Sequence, residues 1–155
     1  MKKSVSASRT EQIQILMPEH INGAGRLFGG KLVEWIDVVA SVAARRHSGC
    51  NVITAAIDNL QFKAGAYVND TLVLIGRLTH VGRTSMEVRV DTYVESLDGT
   101  RSVVNRAYLV LVALDGQGRP TPVPGLLLEN ESERAEWDAG ERRQALRKSR
   151  RQEGY

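Results

Sequence analysis

Hydrophobic and polar positions change period several times along the chain, and each change marks an element. Thr10 to Met17 alternates, with Ile13, Ile15 and Met17 on one side and Gln12 and Gln14 on the other, which predicts a half-buried strand stopped by Pro18. After a glycine-rich stretch, the spacing from Gly29 to about His47 becomes helical. Leu32, Trp35, Ile36, Val39, Val42 and Ala43 fall on one broad face, while Lys31, Glu34 and Arg45 gather on another. Ser48-Gly49 ends that helix.

The remainder reads as strands. Val52 to Phe62 alternates until Asp58-Asn59 shifts its phase, the mark of a bulge or kink. Lys63 to Ala66 and Asn69-Asp70 turn the chain before Leu72, Leu74 and Leu78 open another strand. In Ser85 to Val94, Met86, Val88, Val90 and Val94 face one way, and Glu87, Arg89, Asp91, Tyr93 and Glu95 the other. Asp98-Gly99 is a hairpin signal, Ser102 to Leu114 returns as a long apolar strand, and Pro120, Pro122 and Pro124 end regular pairing. One long helix followed by an antiparallel run is an α+β pattern, packed most economically as a sheet curled around the helix's apolar stripe.

Composition narrows the class only a little. A chain of 155 residues, 42% hydrophobic and 25% charged, reads as one ordinary globular unit. It has no apolar run long enough to cross a membrane and no h-region behind Lys2 and Lys3. Cys50, the single cysteine, reads as a small residue in the loop after Gly49, excludes an internal disulfide and fits a cytoplasmic home. The formal charge of +3 does not argue for nucleic acid. Residues 1–125 form the body, and 126–155 a charged, helical tail with Glu129, Glu131, Glu133 and Glu136 first and an Arg-rich cluster last. That order suits a helix dipole, and the tail reads as a solvated helix with a fraying end, with Trp137 as its one anchor.

Candidate chemistry converges on the entrance to the long helix. Asp37 lies between the core and solvent arcs, with Val33, Ala40, Ser41 and Ala44 as its helical neighbours and no Lys or Arg four residues away. Two turns earlier, Gly29 and Gly30 open the helix, where free backbone N–H groups and a partial positive charge suit a developing oxyanion. Asn22 precedes them in the loop, with two roles open to it: orienting water or a carbonyl, or closing an Asx-type turn before Gly23. A carboxylate is a weak base near neutrality, so burial or geometry has to compensate. His20, His47 and His80 have no metal-ligand spacing, and no Gly-x-Ser-x-Gly elbow is present.

The run Met17-Pro18-Glu19-His20-Ile21-Asn22-Gly23-Ala24-Gly25-Arg26-Leu27-Phe28-Gly29-Gly30, followed by Trp35 and Asp37, closely resembles the acyl-CoA thioesterases of the hotdog fold. The likeness continues through Thr54, Asp58, Phe62 and Val81-Gly82-Arg83-Thr84-Ser85, covering roughly residues 10–125. It implies a hotdog fold, a curved antiparallel sheet wrapped around one central helix. It also implies a homodimer, or a higher assembly of dimers, with active sites between subunits.

The activity implied is hydrolysis of acyl-CoA to a free acid and coenzyme A. Asp37 would be general base or, less readily, nucleophile, Asn22 would hold water or substrate, and the Gly30 amide would polarise the thioester carbonyl, with Gly29 beside it. Thr54 and Asp58 would line the substrate groove. Gly82, Arg83, Thr84 and Ser85 would meet coenzyme A, with Lys63 a further phosphate partner. No cofactor, metal, nucleic acid or membrane is expected, coenzyme A being part of substrate and product. Two rivals share these residues: a hotdog hydroxyacyl-thioester dehydratase, which would need His20 as base, and a non-catalytic acyl-CoA sensor.

Overall fold

The computed structural model describes residues 1–154, the side chain of Asn59 excepted. The element order is β1 (Lys2–Ser4), α1 (Val5–Ser8), β2 (Thr10–Ile15), a 3-10 turn (Pro18–His20), α2 (Gly29–Ser48), β3 (Asn51–Phe62), β4 (Thr71–Val81), β5 (Ser85–Glu95), β6 (Arg101–Leu114), β7 (Gly125–Leu127) and α3 (Glu131–Glu153). Five strands form an antiparallel sheet in the order β2-β4-β5-β6-β3. It wraps around α2, as the resemblance implies. The long β3 and the short β2 are its two edges.

Helix α2 ends at Gly49, whose φ of 70° is the left-handed cap that only glycine adopts without strain. Its apolar stripe meets Leu72, Leu74 and Leu78 of β4, Met86, Val88 and Val90 of β5, and Leu109, Leu111 and Ala113 of β6. Ala40, Ala44 and His47 are buried beyond the expected set, and Val42 is only half-buried. Such close packing requires Gly76, where a Cβ would meet Val39 Cγ1 at 2.7 Å. The phase shift in β3 is real and doubled, with register breaks between Thr54 and Ala56 and between Asp58 and Gln61.

Three expectations need correction. In β2 the sides are reversed: Ile13 is 59% exposed and Ile15 51%, while Leu16, just past the strand, is the residue that enters the core. Residues 1–9 hold elements that the pattern did not announce: β1 pairs in parallel with β7, which also lies beyond the proline run. The tail is not a solvated helix. Helix α3 lies on the outer face of the sheet, where Gly140 comes so close that a Cβ there would meet His80 Cβ at 2.7 Å and Glu87 Oε1 at 3.2 Å. Trp137 does anchor it, packed on His80 with the ring centroids 4.2 Å apart and the planes tilted by 38°.

Candidate active site

Asp37 leaves α2 half-buried and accepts a hydrogen bond from the Thr54 hydroxyl of β3 at 2.6 Å. It makes no ion pair among the described residues. One carboxylate oxygen is thereby fixed against the edge strand β3.

The glycine entrance is built from the loop before it. Asn22 Oδ1 accepts from the backbone N–H groups of Ala24 and Arg26, at 2.9 and 3.2 Å, so the Asx-type role is taken by the oxygen. With its orientation set in this way, the Nδ2 end of the exposed amide is left as a donor. The N-cap of α2 is Phe28, which has no capping side chain, and neither Gly29 nor Gly30 donates a backbone hydrogen bond within the described residues. A Cβ at Gly30 would lie 2.7 Å from the exposed Phe28 ring, and one at Gly29 would lie 3.5 Å from Phe62. Two aromatic rings therefore flank the free N–H groups.

Within one chain these parts are separate. Gly30 and Asp37 are two helical turns apart, about 10 Å along the axis. A cavity of about 130 Å³ holds Asn22, Leu27, Leu32 and Phe62 but not Asp37. His20 is occupied otherwise: its Nδ1 accepts from the Met17 N–H at 3.0 Å, and its ring meets Trp35 edge-on.

The coenzyme A candidates divide by position. Ser85 pairs with Val112, and Met86 with Leu111, which in turn pairs with Thr54. The Val81–Ser85 turn thus lies at the Thr54 end of the sheet, two strand spacings away, about 9.6 Å. Its Gly82 N–H closes on the Ser85 carbonyl, the carbonyls of Arg83 and Thr84 accept from Val123 and Ala113, and the Arg83 side chain is exposed. Lys63, also exposed, follows Phe62 at the opposite end of β3.

Asp58 departs from the expected groove: it is on the outer face, bonded to Arg147 at 3.1 Å and close to Arg150 at 3.6 Å. Arg147 also binds Glu87, 2% exposed, which Arg143 grips through two hydrogen bonds of 2.9 and 2.8 Å and Thr79 through one of 2.6 Å. Burial pushes the Glu87 carboxyl up, but these bonds and the two guanidinium charges outweigh it and hold it below its ordinary value. This cluster clamps α3 to the sheet, and no periodic pattern of residues announces it. No cluster of metal-ligating side chains occurs among the described residues, and no described helix is long and apolar enough to cross a membrane.

A curled sheet around one helix, with a carboxylate on the helix wall and free amides at its start, defines a hotdog-type thioesterase scaffold, and comparison with known proteins agrees. The family model of the thioesterase superfamily matches residues 24–99. YkhA of Bacillus subtilis, an uncharacterized acyl-CoA thioester hydrolase, is 37% identical over 127 residues, 81% of this chain and 74% of that one. An apo-hexameric acyl-CoA thioesterase superposes with a TM-score of 0.92 at 39% identity, covering 96% of each chain. The acyl-CoA hydrolase of Staphylococcus aureus, in complex with butyryl coenzyme A, coenzyme A and coenzyme A disulfide, superposes with a TM-score of 0.94 at 32% identity over 99% of this chain and 94% of that one.

The chain therefore belongs to the acyl-CoA thioester hydrolases of the thioesterase superfamily. Structures of the S. aureus enzyme also exist with one asparagine, one aspartate or one threonine replaced by alanine. The spacing of those three along that chain is the spacing of Asn22, Asp37 and Thr54 in this one.

Proposed function

We propose that this protein hydrolyses acyl-CoA at a site completed by two copies of the chain. The observation that carries this reading is the Asp37–Thr54 pair, a carboxylate with one fixed oxygen and no cationic partner among the described residues, on the same helix as free N–H groups two turns away. Asp37 takes a proton from water as that water attacks the thioester carbonyl. The oxyanion forms against the Gly30 N–H, with Gly29 and Asn22 Nδ2 as neighbouring donors. Collapse breaks the C–S bond, and the coenzyme A thiolate takes up a proton. Thr54 keeps one carboxylate oxygen occupied, which favours the general-base role over direct attack.

The separation of the parts favours the two-copy site. The longer of the two edges is β3, a 12-residue strand, and Ile53, Ile57 and Phe62 are exposed along it, as are Phe28 and Val38 on α2. Antiparallel pairing of β3 with its own copy about a two-fold axis near Asp58 sets Thr54 of one subunit level with Phe62 of the other. Asp37 and Thr54 then meet the Asn22, Gly29 and Gly30 end of the second copy. The hexameric relative is consistent with such dimers assembling further. The reaction draws only on water and these residues, and a cytoplasmic location, where Cys50 needs no partner, belongs to the same reading.

The test is release of free thiol from acyl-CoAs of several chain lengths by the natural protein and by Asp37→Asn at matched assembly. Loss of turnover in the variant alone supports the reading. Undiminished turnover would remove Asp37 from the mechanism, and no turnover by either protein would turn the reading to a sensor. Engagement of His20 Nδ1 by Met17 weighs against the dehydratase alternative.

A further inference from the structure

A cavity of about 210 Å³ lies on the outer face of the sheet, where α1 and the start of α3 meet β4 and β5. Asp37 is not among its walls, and β6 stands between it and the β3 edge at which two copies are proposed to pair.

Its charges are unevenly matched. Arg77 of β4 and Arg89 of β5 are directly opposite each other in the register, an arrangement that costs stability unless negative charge lies beside it. Arg89 has that charge: it grips Asp91 at 2.7 and 2.8 Å and lies 3.2 Å from Glu136. Arg77 has none. Among the described residues it makes no ion pair or side-chain hydrogen bond, and its Nε is buried without a partner, a donor left unmet at a cost in free energy.

The neighbouring acids do not answer it. Glu133 turns back to its own helix cap, where its two oxygens accept from the Glu129 N–H at 2.8 Å and from Asn130 Nδ2 at 3.3 Å. Glu136 lines the same cavity, yet no ion pair joins it to Arg77, and its buried Oε2 meets Arg89 without hydrogen-bond geometry. An unmatched guanidinium and an under-bonded carboxylate thus border one cavity without touching. Val5 of α1, itself 7% exposed, adds an apolar wall.

We propose that this cavity binds a small carboxylic acid with a hydrogen-bond donor on its α-carbon, an α-amino or α-hydroxy acid. The ligand carboxylate accepts from the Arg77 guanidinium as a fork, which satisfies the buried Nε–H and shields Arg77 from Arg89. The α-ammonium or α-hydroxyl donates to Glu136 Oε2, and a short side chain rests on Val5. The space is smaller than the roughly 300–1,000 Å³ of sites for drug-sized ligands, so few atoms beyond that head group are admitted. Nothing in this inference depends on the acyl-CoA reading.

The experiment is calorimetric titration of the natural protein with L-alanine, L-lactate and propionate, which share a carboxylate and a methyl end and differ in an α-ammonium, an α-hydroxyl or neither. The expected result is that alanine or lactate binds about tenfold more tightly than propionate, the worth of one charge-assisted hydrogen bond, and the tighter of the two names the class of acid. Arg77→Leu is expected to lose this binding while its thermal midpoint without ligand does not fall, because it removes an unmet donor. Glu136→Met, of similar length but without the carboxylate, should narrow the gap to propionate. Equal binding of all three acids, binding of none, or undiminished binding by Arg77→Leu would overturn the proposal. Should Arg77→Leu misfold, Arg77→Lys decides: weaker binding upholds the forked contact, and equal binding refutes it.

Discussion

Along β5, Met86, Val88 and Val90 point towards α2, while Glu87 and Asp91, buried just as deeply, point to the outer face. Each outer carboxylate is saturated: Glu87 by Arg143, Arg147 and Thr79, and Asp91 by Arg89 and Arg106. On the α2 side Asp37 has a single hydroxyl for company. The deeper and more heavily bonded carboxylates are thus the structural ones. The proposed mechanism places reactivity where a charge is under-partnered and half open, since a carboxylate whose lone pairs are all engaged has none left for a water.

The sharpest test of that contrast is Asp37→Asn beside Glu87→Ala. Asp37→Asn is expected to lower kcat by about 10²–10⁴, the range of a positioned general base, with little change in thermal midpoint. Glu87→Ala should act on stability instead: it leaves the half-buried Arg143 guanidinium without its acidic partner and Arg147 with Asp58 alone, and costs up to about 3–5 kcal/mol, measured by chemical denaturation. Equal effects of the two changes on stability would erase the distinction between the faces.

A smaller effect, about 1–3 kcal/mol, is expected for Gly140→Ala, because the added methyl has to push α3 away from His80 and Glu87. An unchanged denaturation midpoint would mean that α3 is held loosely. Smallest is the pH response of His47, whose Nε2–H donates to the Pro124 carbonyl at 2.9 Å. Burial lowers its affinity for a proton, against the pull of that carbonyl, and Lys3 lowers it further. The folded form then resists a proton that the unfolded chain accepts, so this contribution is complete above about pH 6.5 and is lost as pH falls towards the lower folded value. Between pH 7 and 5.5 the natural protein should lose more stability than His47→Gln does, and equal slopes would deny His47 this role.

What the sequence disclosed follows from what a period can encode. Helix α2, β5, β6 and the Asp98-Gly99 turn were legible because one face of each is uniformly apolar or the turn chemistry is local. Alternation in β2 separated Ile13 and Ile15 from Gln12 and Gln14 but did not say which side is inward, and a sheet edge admits either. Helix α3 has no apolar stripe to announce its docking: it binds by arginines and by the missing side chain of Gly140, and its counterpart Glu87 is distant in sequence. At the candidate site, residue type and the family resemblance together suffice to propose Asn22, Gly30 and Asp37. The Asp37–Thr54 bond joins a helix to a strand across a loop, and no spacing rule reaches that far.

The parallel pair β1 and β7 carries a consequence for how the molecule is made. Lys2–Ser4 leaves the ribosome before all of β2 to β6, yet its partner Gly125–Leu127 follows them. At roughly 5–20 residues per second, that strand waits several seconds for its match. Of the described elements the earliest made is thus among the last to be fastened, and its partner strand is made just ahead of α3, so these two late elements dock close together in time.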